Sequence, residues 1–282
     1  MTKPGWMMVF LLAGAFVQLA RGADPDPETE AAASDDAPAG PYSLSPIRLE
    51  MGGYSSHATN GLGTWSGGLV QLWYRNRYFT PSFTVDRQTR PTGTQWNYNF
   101  FSYLNWSKSF YTIQGYSWAP QKDPNAVYFP KRRYDVRGYW KLPPEQKFLI
   151  GIGYTRFDMG ATGHGQIFSV GSLYYHGKWV LDGNLFVNRS QPGDLYSLSG
   201  LFSAQYGQEG HQWLGVTAGG GRELYQYVGQ TPFEVRFMSY SLSAFYRRWL
   251  NKHTGIVFSG EYQDTLDAYR RGGGSVHLFF EF

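Results

Sequence analysis

From Ser45 onward the chain carries almost no helical periodicity. Instead, segments of about ten residues alternate in polarity and are separated by turn-forming residues. Residues 96–106 show the pattern in full. The even positions are Trp96, Tyr98, Phe100, Ser102, Leu104 and Trp106; the odd ones are Asn97, Asn99, Phe101, Tyr103 and Asn105. Successive side chains of a strand leave on opposite faces. This segment therefore has one apolar face with tryptophan at both ends, as a strand crossing a bilayer between two aromatic belts requires. The same alternation sets Tyr134, Val136, Gly138 and Trp140 against Arg133, Asp135, Arg137, Tyr139 and Lys141. It also sets Trp179, Leu181, Gly183, Leu185 and Val187 against Val180, Asp182, Asn184, Phe186 and Asn188.

The strands marked in this way run 46–58, 66–75, 79–89, 95–106, 109–119, 131–142, 147–158, 166–176, 178–190, 195–207, 211–224, 234–247, 255–266 and 271–282. They number fourteen, an even count that lets an antiparallel sheet close on itself; merging one hairpin would leave twelve. Tight links such as Asn76-Arg77, Ser107-Lys108 and Gly177-Lys178 are expected on the periplasmic side. The alternate links, Arg90–Thr94, Pro120–Pro130 and Tyr225–Phe233, are expected to be longer and to face outside. The fold predicted is all-β, a transmembrane antiparallel up-and-down barrel.

A soluble sandwich also alternates, so the end of the chain decides. Val276, Leu278, Phe280 and the terminal Phe282 share one face of the last strand. Such a strand resembles the C-terminal signal by which outer-membrane barrels are recognised for insertion, which makes the barrel-assembly machinery an expected partner beside outer-membrane lipid. The start of the chain agrees. Lys3, an uncharged apolar run from Trp6 to Ala20, and small residues at Ala20 and Gly22 predict a cleaved signal peptide over 1–22. The run is short of the roughly 20 residues that a spanning helix needs. Residues 23–44 carry six acids, four prolines and no base, which predicts a disordered leader before a barrel domain over 45–282.

Composition adds weight without changing the picture. The chain holds 10 Trp, 22 Tyr and 20 Phe, as aromatic girdles demand, and no cysteine. Of 25 basic and 21 acidic residues, two bases and six acids lie in the first 44, leaving 23 against 15 in the barrel domain. A basic soluble domain would point to nucleic acid. An exported barrel has little access to it, so anionic lipid head groups are the expected counterpart and no nucleic-acid partner is assigned.

The search for chemistry returns little. The six histidines are scattered and read as solvated or interfacial groups, with no metal arrangement. Ser55 and His57 can share a strand face, the only local hint of a nucleophile and its base, yet no hydrolase elbow exists. Gly219–Gly221 and Gly272–Gly274 lack the strand-to-helix context of phosphate loops and read as places where chains approach closely. No catalytic residue, metal or cofactor is assigned. The inward wall is more informative: Arg133, Asp135, Arg137, Tyr139 and Lys141, with Asn97, Asn99, Tyr103, Asp182 and Asn184 elsewhere on the lumen. These groups either pair across the lumen and plug it, or line a hydrated passage that favours anionic or sugar-like solutes.

Over roughly 45–282 the chain resembles the YaiO family of outer-membrane β-barrels. The likeness rests on the opening Gly52-Gly53-Tyr54 strand, the aromatic-rich hairpins, and Tyr262-Gln263-Asp264 with Tyr269-Arg270-Arg271 before the last strand. The resemblance implies an outer-membrane barrel without established catalytic residues, and a role around envelope or surface polysaccharide. The expectation is a non-enzymatic channel or export element for saccharide or anionic solutes. A structural or adhesive barrel that binds a partner through its outer loops is the alternative, and a lipid-modifying enzyme the third reading.

Overall fold

The computed structural model describes residues 45–282 apart from 124–125, 161–162, 192–193, 228–232 and 267. The segments read as signal peptide and leader lie outside the described residues. The remainder is a closed antiparallel barrel: β1 (Ile47–Ala58), β2 (Gly63–Tyr74), β3 (Phe79–Arg90), β4 (Gly93–Ser107), β5 (Phe110–Trp118), β6 (Arg132–Leu142), β7 (Phe148–Asp158), β8 (His164–His176), β9 (Trp179–Gln191), β10 (Leu195–Gln208), β11 (Gln212–Tyr227), β12 (Phe233–Trp249), β13 (Thr254–Thr265) and β14 (Tyr269–Glu281). Each strand pairs with its sequence neighbours, and β1 closes on β14 through a register from Arg48–Glu281 to Ala58–Arg271. All fourteen expected strands are present, and no hairpin is merged.

Closure leaves no free edge to template aggregation or to sit unsatisfied in lipid. Alternation then sorts the side chains. Outward positions are apolar and exposed, among them Val70, Phe83, Phe100, Ile152, Leu185 and Val276. Exposed aromatic rings mark two levels. Tyr74, Trp106, Trp140 and Trp179 ring the rim where β1 begins and β14 ends, here the terminal rim; Trp96, Trp118, Tyr196 and Tyr262 ring the distal one. Trp96 and Trp106 thus stand at opposite ends of β4, as the sequence pattern requires.

The connections differ from expectation. The distal links are not generally long: 91–92 separates β3 from β4, and β11 and β12 run on to Tyr227 and Phe233. Pairing continues past the points where turn-forming residues seemed to end it, for instance through Arg90–Gly93. Only the segment 119–131 is a long connection among the described links. At the tight 59–62 link, Asn60 and Gly61 take φ of 58° and 77°, a left-handed pair for which Asn-Gly is the favoured sequence.

Where the lumen narrows, glycine makes room. Phe279 is wholly buried, and its ring lies across Gly255 so closely that an added Cβ would fall 1.9 Å from Cζ of the ring. Gly255→Ala is therefore expected to destabilise the barrel by about 1–3 kcal/mol through overpacking, read as a lowered urea midpoint in lipid vesicles.

Candidate functional site

The lumen has three tiers. Nearest the terminal rim, Trp73, Tyr103, Tyr111, Tyr139, Leu149, Tyr175, Trp213, Trp249 and Phe279 form one buried layer that crosses the barrel. Tyr111 stacks on Tyr139 at 4.9 Å and Trp249 meets Phe279 edge-on at 5.0 Å. A barrel of fourteen strands is wider than the eight-stranded kind that ordinary side chains fill, so large rings are what can bridge it.

An ionic cluster lies on that layer. Arg48 Nε donates to Glu281 Oε1 at 2.9 Å, and Arg75 Nη1 reaches the same oxygen at 3.1 Å. Glu209, in the turn between β10 and β11, folds inward to pair with Arg48 and, at 3.0 Å, with Arg75. Its second oxygen accepts the Trp213 indole N–H at 3.1 Å. The Arg48 guanidinium also lies over the rings of Trp249 and Phe279. One step deeper, Glu50 meets His277 Nδ1 at 2.8 Å and Arg247 at 3.6 Å. Three guanidiniums thus face three carboxylates, and aromatic faces hold the cations in place. His277 corrects the expectation that every histidine is solvated or interfacial: it is an inward, buried group tied to Glu50.

The middle tier is polar and partly exposed. On β6, Arg133 Nε donates to both oxygens of Asp135 at 3.0 and 2.9 Å, and the Thr155 hydroxyl donates to Asp135 at 2.6 Å. Arg137 Nη1 donates to the Tyr139 hydroxyl at 2.9 Å and lies within Coulombic reach of Asp182, which is on β9. Asn184 donates to Asp182 at 2.8 Å, and Asn97 to Asn99 at 3.2 Å. Of the residues singled out from sequence, Arg133, Asp135, Arg137, Asp182, Asn184, Asn97 and Asn99 make the polar tier. Tyr103, Tyr139 and Lys141 stand instead in or against the aromatic layer, Lys141 lying 5.7 Å from the Tyr111 ring centroid. Among the described residues, the buried amide oxygens of Asn97, Asn184 and Asn188 have no donor. Ser55 and His57 are both exposed on the outward face, away from this tier.

The distal tier is built by the 119–131 segment, which turns into the barrel rather than away from it. Gln95 Oε1 accepts the backbone N–H groups of Tyr128 and Phe129 at 2.6 and 2.8 Å. Ala119, Ala126, Tyr128 and Phe129 are buried together, and Val127 packs against Phe157, Met159, Ile167 and Phe186. The Tyr128 hydroxyl bonds Thr92 at 2.5 Å and donates to the Gly93 carbonyl at 3.1 Å. Burial pushes this phenol above its ordinary value, with the Thr92 bond opposing. A raised pKa contributes stability that is complete below the ordinary phenol range and lost as pH rises through the folded value. Tryptic cleavage after Lys122 is therefore expected to quicken on alkaline titration, relative to a peptide control. Tyr128→Phe should remove that pH step.

Residues 48–226 match the YaiO membrane β-barrel domain. The closing Tyr262–Arg271 stretch lies beyond the matched region. Among solved structures the chain is similar to a monoaromatic hydrocarbon channel, CymD, at 9% identity and a TM-score of 0.56, covering 85% of this chain and 89% of that one. It is also similar to a bacterial polysaccharide outer membrane secretin, at 9% identity and a TM-score of 0.54, covering 85% and 99%. At such identities the likeness is one of fold, and the two named cargoes differ. No protein with a curated description matches the sequence.

Proposed function

Because the chain belongs to the YaiO membrane β-barrel family, and so stands in the bacterial outer membrane, we propose that it is a non-enzymatic channel for polar solutes, saccharide or anionic, held shut at its periplasmic end. The terminal rim is the periplasmic one in this reading. The observation that carries it is the contrast between tiers. Asn99, Asp135, Arg137, Asp182, Ser199 and Thr217 point inward and remain partly exposed, whereas the layer beneath them is buried. A partly exposed polar belt over a dry aromatic floor is a hydrated chamber with a closed exit.

The belt also has a chemical preference. Buried amide oxygens without a donor are acceptors that a hydroxyl group would satisfy, and a sugar or its hydration water supplies such donors. The arginines Arg133 and Arg137 add cationic character at the same height. An adhesive barrel is less well supported, because the longest described connection packs into the lumen and buries Ala126, Tyr128 and Phe129.

The test is ion selectivity in planar bilayers, read on a Trp213→Ala/Trp249→Ala barrel whose floor has been cut away. A preference for anions that falls in the added background of Arg133→Gln, Arg137→Gln and Lys141→Gln supports the reading. An opened barrel indifferent to those charges overturns the assigned solute class.

A further inference from the structure

We propose that Arg90 and Arg271 form an anion-binding subsite at the outer mouth, which takes an oxyanion, carboxylate or phosphate, carried by an acidic saccharide. Both side chains point inward near the distal rim, and they are only 8% and 6% exposed. Arg90 is held between two rings, its guanidinium carbon 3.7 Å from the Trp65 centroid and 4.3 Å from that of Tyr128. Arg271 lies 5.1 Å from the same Trp65 centroid. Two cations therefore share one indole in a site largely removed from water. Ring faces attract a cation but do not cancel its charge.

The compensation found at the terminal rim is incomplete here, where two guanidiniums have one carboxylate between them. Among the described residues no carboxylate comes within ion-pair distance of Arg90; its Nε and Nη2 both donate to the neutral Gln88 amide oxygen, at 3.2 and 2.9 Å. Arg271 Nη1 pairs with Glu261 at 3.5 Å, and Asp86 accepts the Tyr54 hydroxyl. Among the described residues, Arg271 Nε is buried and has no acceptor. A buried cation such as Arg90 without a carboxylate is costly, and a planar oxyanion is the group that accepts from two guanidiniums at once.

The surroundings point to the carrier. Trp65 and Tyr269, with rings 6.0 Å apart, sit beside the arginines at the distal rim. Both rings are buried and frame the arginines with apolar surface, and the amide belt, whose acceptors saccharide hydroxyls would meet, lies one tier below. The saccharide part of this inference rests on the channel reading; the anion part does not.

Calorimetric titration of the full chain in detergent tests it, with oligogalacturonate, a malto-oligosaccharide of equal length and inorganic phosphate as the three probes. The acidic oligomer is expected to bind and the neutral one not. Arg271→Gln and Arg90→Gln should each weaken binding at least about tenfold, while Arg270→Gln, an outward neighbour paired with Asp264, should not. Heat-modifiable migration in gels verifies assembly of each variant. If a glutamine variant fails to assemble, Arg90→Lys keeps the charge, loses the fork, and should also bind more weakly. Unchanged affinity in the arginine variants would overturn the subsite, and phosphate binding as tightly as the oligomer would overturn the saccharide. No current is measured, so failure here leaves the conductance test untouched.

Discussion

Trp213→Ala/Trp249→Ala is expected to convert a silent barrel into a steadily conducting one. Both rings are nearly inaccessible and lie in the buried aromatic layer that the proposed channel takes as its floor. Truncating each leaves a void that its neighbours fill only in part, because the surrounding layer is itself closely packed, Tyr139 being stacked on Tyr111. Trp213 also anchors Glu209 through its indole N–H, so its loss frees the inward-folded turn. Wetting of the floor follows, and a hydrophobic constriction that has wetted conducts. Single-channel recording should show an order-of-magnitude gain over the parent. A double variant that assembles fully yet stays silent would mean that the floor is not the barrier.

The second large effect concerns stability. Glu281→Ala removes one of the two carboxylates that touch both Arg48 and Arg75, the one that joins β14 to β1. Glu209 is then left to neutralise two guanidiniums, one of them wholly buried. Breaking a buried ion pair from one side typically costs about 3–5 kcal/mol, so urea-driven unfolding in vesicles should shift by that amount. Substituting both partners, Arg48→Met with Glu281→Leu, should cost less than the single change, because no unpaired charge remains on that pair. Equal losses in the single and double variants would show that packing, not charge, dominates the site.

Much of the barrel was legible from alternation. The faces of β4, β6 and β9 follow directly from the identity of every second residue, and Trp96 and Trp106 set the height of the crossing. The contents of the lumen were less legible. Alternation says that Tyr139 and Arg137 both point inward, but not that one joins a dry layer and the other a wet belt. That difference depends on what arrives from the far wall, and Arg48 meets Glu281 across 233 positions of sequence. His277 was misread for the same reason, since its partner Glu50 is 227 positions away. Glu209 carried no signal at all: a glutamate flanked by Gly207 and Gly210 looks like an exposed turn residue. The inward fold of 119–131 was equally hidden, for the length of a loop is written in the sequence and its direction is not.

The charge cluster at the terminal rim has a consequence for biogenesis. Its members come from the first strand, the last strand, β12, and the turns after β2 and β10. None of the Arg48–Glu281 geometry exists until the first and last strands have met. A barrel still waiting for its final hairpin therefore has an unfinished seal as well as an open seam. The step that zips the sheet also completes the stopper, so watertightness is acquired at the moment of completion.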